Sequence, residues 1–134
     1  MQPSGVPGFT GQANPGYGMN ADLQTSANID DDWRARFRQW VDLHKRYPRD
    51  AQGLGHQGLV TVRFSVALDG TVTQVDMLRP NGSPYLNQNL INLFRGATKR
   101  SETQDHRLPP LPARADPSGE TITFTMHYIL YRRF

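Results

Sequence analysis

The chain has 134 residues, 37% of them apolar, and a mean hydropathy of −0.63, enough for one modest core with polar tails and too little for two. It contains no cysteine, so disulfides and thiolate chemistry are excluded, and no run approaches the ~18 apolar residues of a membrane span. A net charge of +3 raises nucleic acid as a partner, but Arg34, Arg36, Arg38, Lys45, Arg46 and Arg49 are interleaved with Asp30, Asp31, Asp32, Asp42 and Asp50, and no nucleic-acid motif accompanies them. A solvated helix face is the expectation, with attraction to an acidic partner second.

Residues 1–28 hold five glycines and three prolines among many Asn, Gln, Ser and Thr, and Val6, Phe9, Tyr17, Met19 and Leu23 are read as following no helical or strand period. Such a segment buries too little to offset its ordering entropy, so residues 1–29 are assigned as a flexible linker and 30–134 as the folded domain. The opening residues carry neither a basic stretch nor an apolar run, so no secretory signal is expected.

From Asp30 the pattern changes. Trp33, Phe37, Trp40, Val41 and His44 form an amphipathic helical stripe, capped by the Asp30–Asp32 run and stopped by Pro48. Val60, Val62, Phe64, Val66 and Leu68 alternate with polar or small residues, which predicts a strand, and Asp69-Gly70 predicts a two-residue hairpin turn. The returning strand, Thr71 to Leu78, breaks parity between Val72 and Val75, so a bulge near Thr73-Gln74 is expected. Ser83-Pro84 opens a second helix along Leu86, Leu90, Leu93, Phe94 and Ala97. A Pro-rich connection through Leu108-Pro109-Pro110-Leu111-Pro112 leads to a long closing strand, Thr121 to Tyr131, in which Ile122, Phe124, Met126, Tyr128 and Leu130 share one face. The predicted fold is α+β: a three-stranded antiparallel sheet with two helices packed on one face, in the order α-β-β-α-β.

Catalytic chemistry is not supported. His44, His56, His106 and His127 have no metal-ligand spacing, and Gly53, Gly55 and Gly58 precede a strand, the wrong direction for a phosphate loop. Ser101 with Asp105 and His106 would lie in a Pro-flanked loop where nothing fixes geometry. No enzyme activity, cofactor or metal is therefore expected. What remains is recognition: a closing strand paired on one side only would leave backbone N–H and C=O groups open to an extended peptide, with the tail Arg132-Arg133-Phe134 as the competing cover.

Tyr47-Pro48-Arg49-Asp50-Ala51, the Gly58-led strand, Asp69-Gly70 and Asn81-Gly82-Ser83-Pro84-Tyr85-Leu86-Asn87, in that order and through the closing strand, resemble the carboxy-terminal domain of TonB-type energy transducers over about ninety residues. Asn87 stands where the family usually has an acidic residue, and the Gly- and Asn-rich opening differs from its charged, proline-rich linker. The resemblance implies a periplasmic domain of a protein anchored in the inner membrane of a Gram-negative bacterium, with this chain a soluble piece of it. An ExbB/ExbD-type motor would drive it through the N-terminal part, and the partner would be the TonB box of an outer-membrane transporter importing siderophores, haem or similar nutrients. By the same resemblance the partner-binding residues are Lys45, Arg46, Tyr47 and Pro48 with Thr121, Ile122, Thr123, Phe124, Thr125, Met126, His127 and Tyr128. A TolA-like envelope scaffold, or a TonB-like module of a secretion or pilus assembly, is the alternative.

Overall fold

The computed structural model describes residues 16–97 and 106–131. The elements run β1 (Tyr17–Gln24), α1 (Asp31–His44), α2 (Arg49–Leu54), β2 (Gly58–Val66), β3 (Val72–Arg79), α3 (Pro84–Gly96) and β4 (Glu120–Leu130). All strand pairs are antiparallel, and the sheet order is β1-β4-β2-β3.

The two long helices arise as their residues dictate. Asp30 caps α1 by accepting from the Trp33 amide at 2.8 Å, and Ser83 caps α3 by accepting from the Leu86 amide at 3.3 Å, satisfying donors that the first helical turn leaves over. Trp33, Phe37, Trp40 and Val41 are buried along α1, as the stripe predicts, and Leu86, Leu90 and Phe94 along α3. Phe37 is the centre of the core. Its ring stacks near those of Trp33 (5.2 Å), Phe64 (6.0 Å) and Phe94 (6.2 Å) and meets Phe124 edge-on at 5.7 Å. Both helices thus cover the same sheet face, and the α+β class is borne out.

Four details differ from the sequence expectation. Tyr17–Gln24, assigned to the linker, is a strand, so the sheet has four strands and not three. Tyr17, Met19, Ala21 and Leu23 do alternate, with Met19 and Leu23 buried, but the intervening Gly, Asn and Asp and the glycines ahead of them hide the period. The closing strand is therefore not an edge: β4 pairs with β2 on one side and β1 on the other. Arg49–Leu54, read only as the stretch after a helix stop, is a six-residue helix ended by Gly55 at φ 74°. Six residues carry too little periodicity to announce themselves.

The hairpin turn is also larger than Asp69-Gly70 suggests. The Ala67 amide donates to Thr71 O and the Gly70 amide to Ala67 O, so Leu68, Asp69 and Gly70 form a three-residue loop with Gly70 at φ 91°. Gly70 is needed twice over, because a Cβ there would stand 2.0 Å from Leu108 O, where the Pro-rich connection crosses and donates Leu108 N–H back to Gly70 O. The bulge expected near Thr73-Gln74 is present: Ser65 pairs with Gln74 and Val66 with Val72, leaving Thr73 extra.

Candidate functional site

The closing strand and the Lys45–Pro48 corner, singled out separately in the sequence, meet in space, and β1 lies between them. Ile122, Phe124, Met126 and Tyr128 point into the core and are fully buried. Thr121, Thr123, Thr125 and His127 alternate with them on the open sheet face, where Thr125 and Thr61 share a hydroxyl hydrogen bond of 2.8 Å. Side chains of β4 are thus divided between the core and the open face.

The parity of the β4 backbone follows from its end. Tyr131 N–H donates to Gly16 O at 2.9 Å on the β1 side, whereas Leu130 N–H donates to the Gln57 side chain at 3.0 Å on the β2 side. Backbone direction alternates along a strand. The amides of Thr123, Thr125 and His127 therefore face β1, and those of Ile122, Phe124, Met126 and Tyr128 face β2. In register, His127 opposes Asn20, Thr125 opposes Asp22 and Thr123 opposes Gln24.

The outer edge of β1 is blunted by the basic helix. Lys45 Nζ donates to Met19 O at 3.2 Å and pairs with Asp42 at 2.9 Å, while an Arg38 guanidinium nitrogen donates to Ala21 O at 3.0 Å. Arg34 reaches Thr25 Oγ1, and Arg36 pairs with Asp32 at 3.1 Å. Of the basic residues that raised nucleic acid in the composition, Arg34, Arg38 and Lys45 are thus engaged on β1 and its exit. A shallow groove of about 270 Å³ lies between β1 and α1, bordered by Met19, Ala21, Arg38, Val41 and Lys45.

Tyr47 is buried at the corner, its ring 5.3 Å from both Tyr17 and Tyr128, and its hydroxyl donates to His56 O. Tyr128 donates to Asn89 Oδ1 at 2.7 Å. Burial pushes the phenols of Tyr47 and Tyr128 above the ordinary tyrosine range, for Tyr128 with the added effect of neighbouring Tyr47, so both remain neutral donors. Arg46 donates to the Lys45 carbonyl, and Pro48 is the N-cap of α2. Residues the sequence reading missed are Tyr17, Met19, Ala21, Leu23 and Arg38; the period-two spacing of the first four was the available signal.

The loop leaving β1 is tied to the start of β4. Glu120 accepts from Ser26 Oγ (2.7 Å), Asn28 Nδ2 (3.3 Å) and Asp116 N–H (2.8 Å). The Asp116 amide, then the Ser26 and Asn28 donors, hold its carboxyl below the usual range against the pull of partial burial and the nearby Asp116 charge. Asn87 makes a reciprocal pair with the Asn81 backbone, accepting its N–H at 2.7 Å and donating to its carbonyl at 2.8 Å. A carboxylate there could accept but not donate.

Among the described residues no group of three or more His, Asp or Glu side chains could hold a metal. His44 bonds the Trp40 carbonyl, His56 the Ser83 hydroxyl, and Ser101 and Asp105 lie outside the described residues, as does the tail from Arg132. No helix among the described residues is long and apolar enough to cross a membrane.

Comparison with known proteins agrees with this arrangement. Over 71 residues, 51% of the chain, it is 31% identical to "Protein TonB" of Haemophilus influenzae, and it spans 26% of that relative's length. Among solved structures it matches the Helicobacter pylori TonB C-terminal domain with a TM-score of 0.60 at 22% identity, over 80% of this chain and 89% of that one. A match to the C-terminal domain of HasB has a TM-score of 0.46 at 28% identity, over 81% and 76% of the two chains. The family described as Gram-negative bacterial TonB protein C-terminal matches residues 43–130, from the end of α1 through β4, and the chain belongs to that family.

Proposed function

We propose that this chain is the periplasmic partner-binding domain of a TonB-type energy transducer, and that it acts by binding and not by catalysis. The partner is the TonB box of an outer-membrane transporter, an extended segment captured by main-chain hydrogen bonds on the β1-facing side of β4, in the place of β1. The intact protein would sit in the inner membrane through an anchor outside this domain and receive work from an ExbB/ExbD-type motor, delivering it to transporters that import siderophores, haem or similar nutrients.

The observation that carries this reading is the β1-facing side of β4. The Thr123, Thr125 and His127 amides face a strand that belongs to the N-terminal arm and not to the hairpin core, flanked by the Lys45–Pro48 corner. Five to seven paired residues at ~0.5–1.5 kcal/mol per net hydrogen bond, less the ordering of the peptide, correspond to roughly micromolar affinity for the site once β1 has left it. Titrating N-terminal peptides of outer-membrane transporters while following amide chemical shifts tests it. Changes concentrated on Thr123, Thr125, His127 and residues 45–48 are expected. No response to any such peptide, or one confined to exposed positions of α1, would end the transporter reading and favour a scaffold role.

A further inference from the structure

We propose that β1 is an internal stand-in for the partner segment, and that the pattern of its seat defines which strands the domain accepts. This rests on the strand-addition reading and specifies its ligand. The seat takes an extended polypeptide of about eight residues running antiparallel to β4, apolar at the positions of Tyr17, Met19 and Leu23, small at Ala21, and unrestricted between them.

The register sets the pattern. Tyr17 opposes Leu130, Met19 opposes Tyr128, Ala21 opposes Met126 and Leu23 opposes Phe124, all on the helix-covered face. Met19 and Leu23 are buried, whereas Tyr17 and Ala21 are partly so, with Tyr17 against Tyr47 and Ala21 beside Arg38 and Val41. Asn20, Asp22 and Gln24 are exposed on the other face, where water can take their place against the strand. Directly opposed side chains in an antiparallel pair are the ones that interact, so these four positions carry the discrimination.

Arg38 and Lys45 complete the seat. Each donates to a main-chain carbonyl that β1 turns away from β4. A carbonyl is common to every residue, so the same two cations read the outer edge of any strand in this register. They give the seat two walls, β4 amides on one side and helix-borne donors on the other, which a bare sheet edge lacks.

The arm is also separable. Along its length β1 pairs only with β4, and the aromatic centre of Phe37, Phe64, Phe94 and Phe124 is assembled from the other elements. Its exit runs through Thr25–Asp30, held by Ser26 and Asn28 on Glu120. The apparent affinity for an external strand is then its intrinsic affinity reduced by the fraction of molecules with the seat open.

The test uses the full chain and a synthetic peptide of its own residues 16–25 as probe. Asn20 and His127 are directly opposed on the open face, at the ~5.5 Å Cα spacing of a hydrogen-bonded antiparallel pair, and the chain has no other cysteine, so N20C/H127C forms one disulfide that locks β1. The reduced form should bind the probe and the oxidised form should not, with shifts at Thr123, Thr125 and Ile129, whose amides face β1. A second variant, M19D/L23D, weakens the arm without touching β4 and should bind the probe at least about tenfold more tightly than the parent. Adding R38A or K45A to it should weaken probe binding several-fold, and placing Asp in the probe at the Met19 or Leu23 position should abolish it. Equal binding by oxidised and reduced chains, or shifts confined to β3, would overturn the proposal. Transporter peptides that bind both redox forms equally overturn the stand-in and leave transporter binding intact; the probe binding where no transporter peptide does keeps the seat and removes the transporter.

Discussion

Thr123 and Phe124 are neighbours in β4 with opposite duties. Thr123 N–H is directed at β1 and Phe124 N–H at β2, where Phe124 also opposes Val62 in the central ladder. Proline removes the donor and adds ring bulk, so the two substitutions separate binding from folding. Thr123→Pro should leave a cooperatively folded domain that has lost β1 order and no longer captures an extended peptide. Phe124→Pro removes a buried aromatic and a central hydrogen bond together, costing upwards of ~3 kcal/mol, and should yield little folded protein. Circular dichroism melts of both, with peptide titration of whichever folds, check the assignment. From residue identities this choice was not legible, because every amide looks alike in sequence and only the end contacts of Tyr131 and Leu130 reveal which way each one points.

Each helix and strand is stabilised by local chemistry that its own residues state, but the connections depend on groups far along the chain. Glu120 is the clearest case, joining β4 to Ser26 and Asn28. Its folded carboxyl is held below the ordinary range, so the folded state favours the charged form. The contribution is complete above the unfolded carboxylate range and is lost as pH falls through the lowered folded value. In Glu120→Gln that part of the acid-side loss should vanish: thermal midpoints measured from neutral pH down into the carboxylate range should begin lower than the parent's and fall less steeply. Asp69 and Asp116 are also held low, chiefly by donors from Thr71 and Ser118, so the variant's curve flattens without becoming level. An unchanged slope would show that the Glu120 tie is absent in solution. The basic run of α1 teaches the same point. Its interleaved acids announce a solvated face, yet Arg38 and Lys45 turn out to bind carbonyls of β1, contacts that no spacing within the helix contains.

Taken as one body, the domain is a helix-covered sheet core with an N-terminal arm laid along β4. Deleting residues 1–24 removes the burial of Met19 and Leu23, ~1.5–3 kcal/mol for each side chain when fully buried, and the β1–β4 ladder at ~0.5–1.5 kcal/mol per hydrogen bond, and it spares the ordering of an eight-residue strand at ~1–2 kcal/mol per residue, so that the two sides nearly cancel. A net loss of about 2 kcal/mol is expected, lowering Tm by roughly 10 °C for a domain of this size while the transition stays cooperative. An unshifted Tm would mean that the arm contributes nothing to the folded domain. The remainder of the fold was open to inspection beforehand: Trp33 to His44, Val60 to Val66, Leu86 to Phe94 and Ile122 to Tyr128 each repeat with a period that belongs to one secondary structure, since burial of one face imposes it residue by residue. The neighbour of β4 was not. A strand edge is made of backbone groups identical at every position, so its occupant is selected by which segment can reach it with suitable alternate side chains, and the polar, glycine-bearing Tyr17–Gln24 qualifies only once α1 and β4 have formed the two walls that hold it.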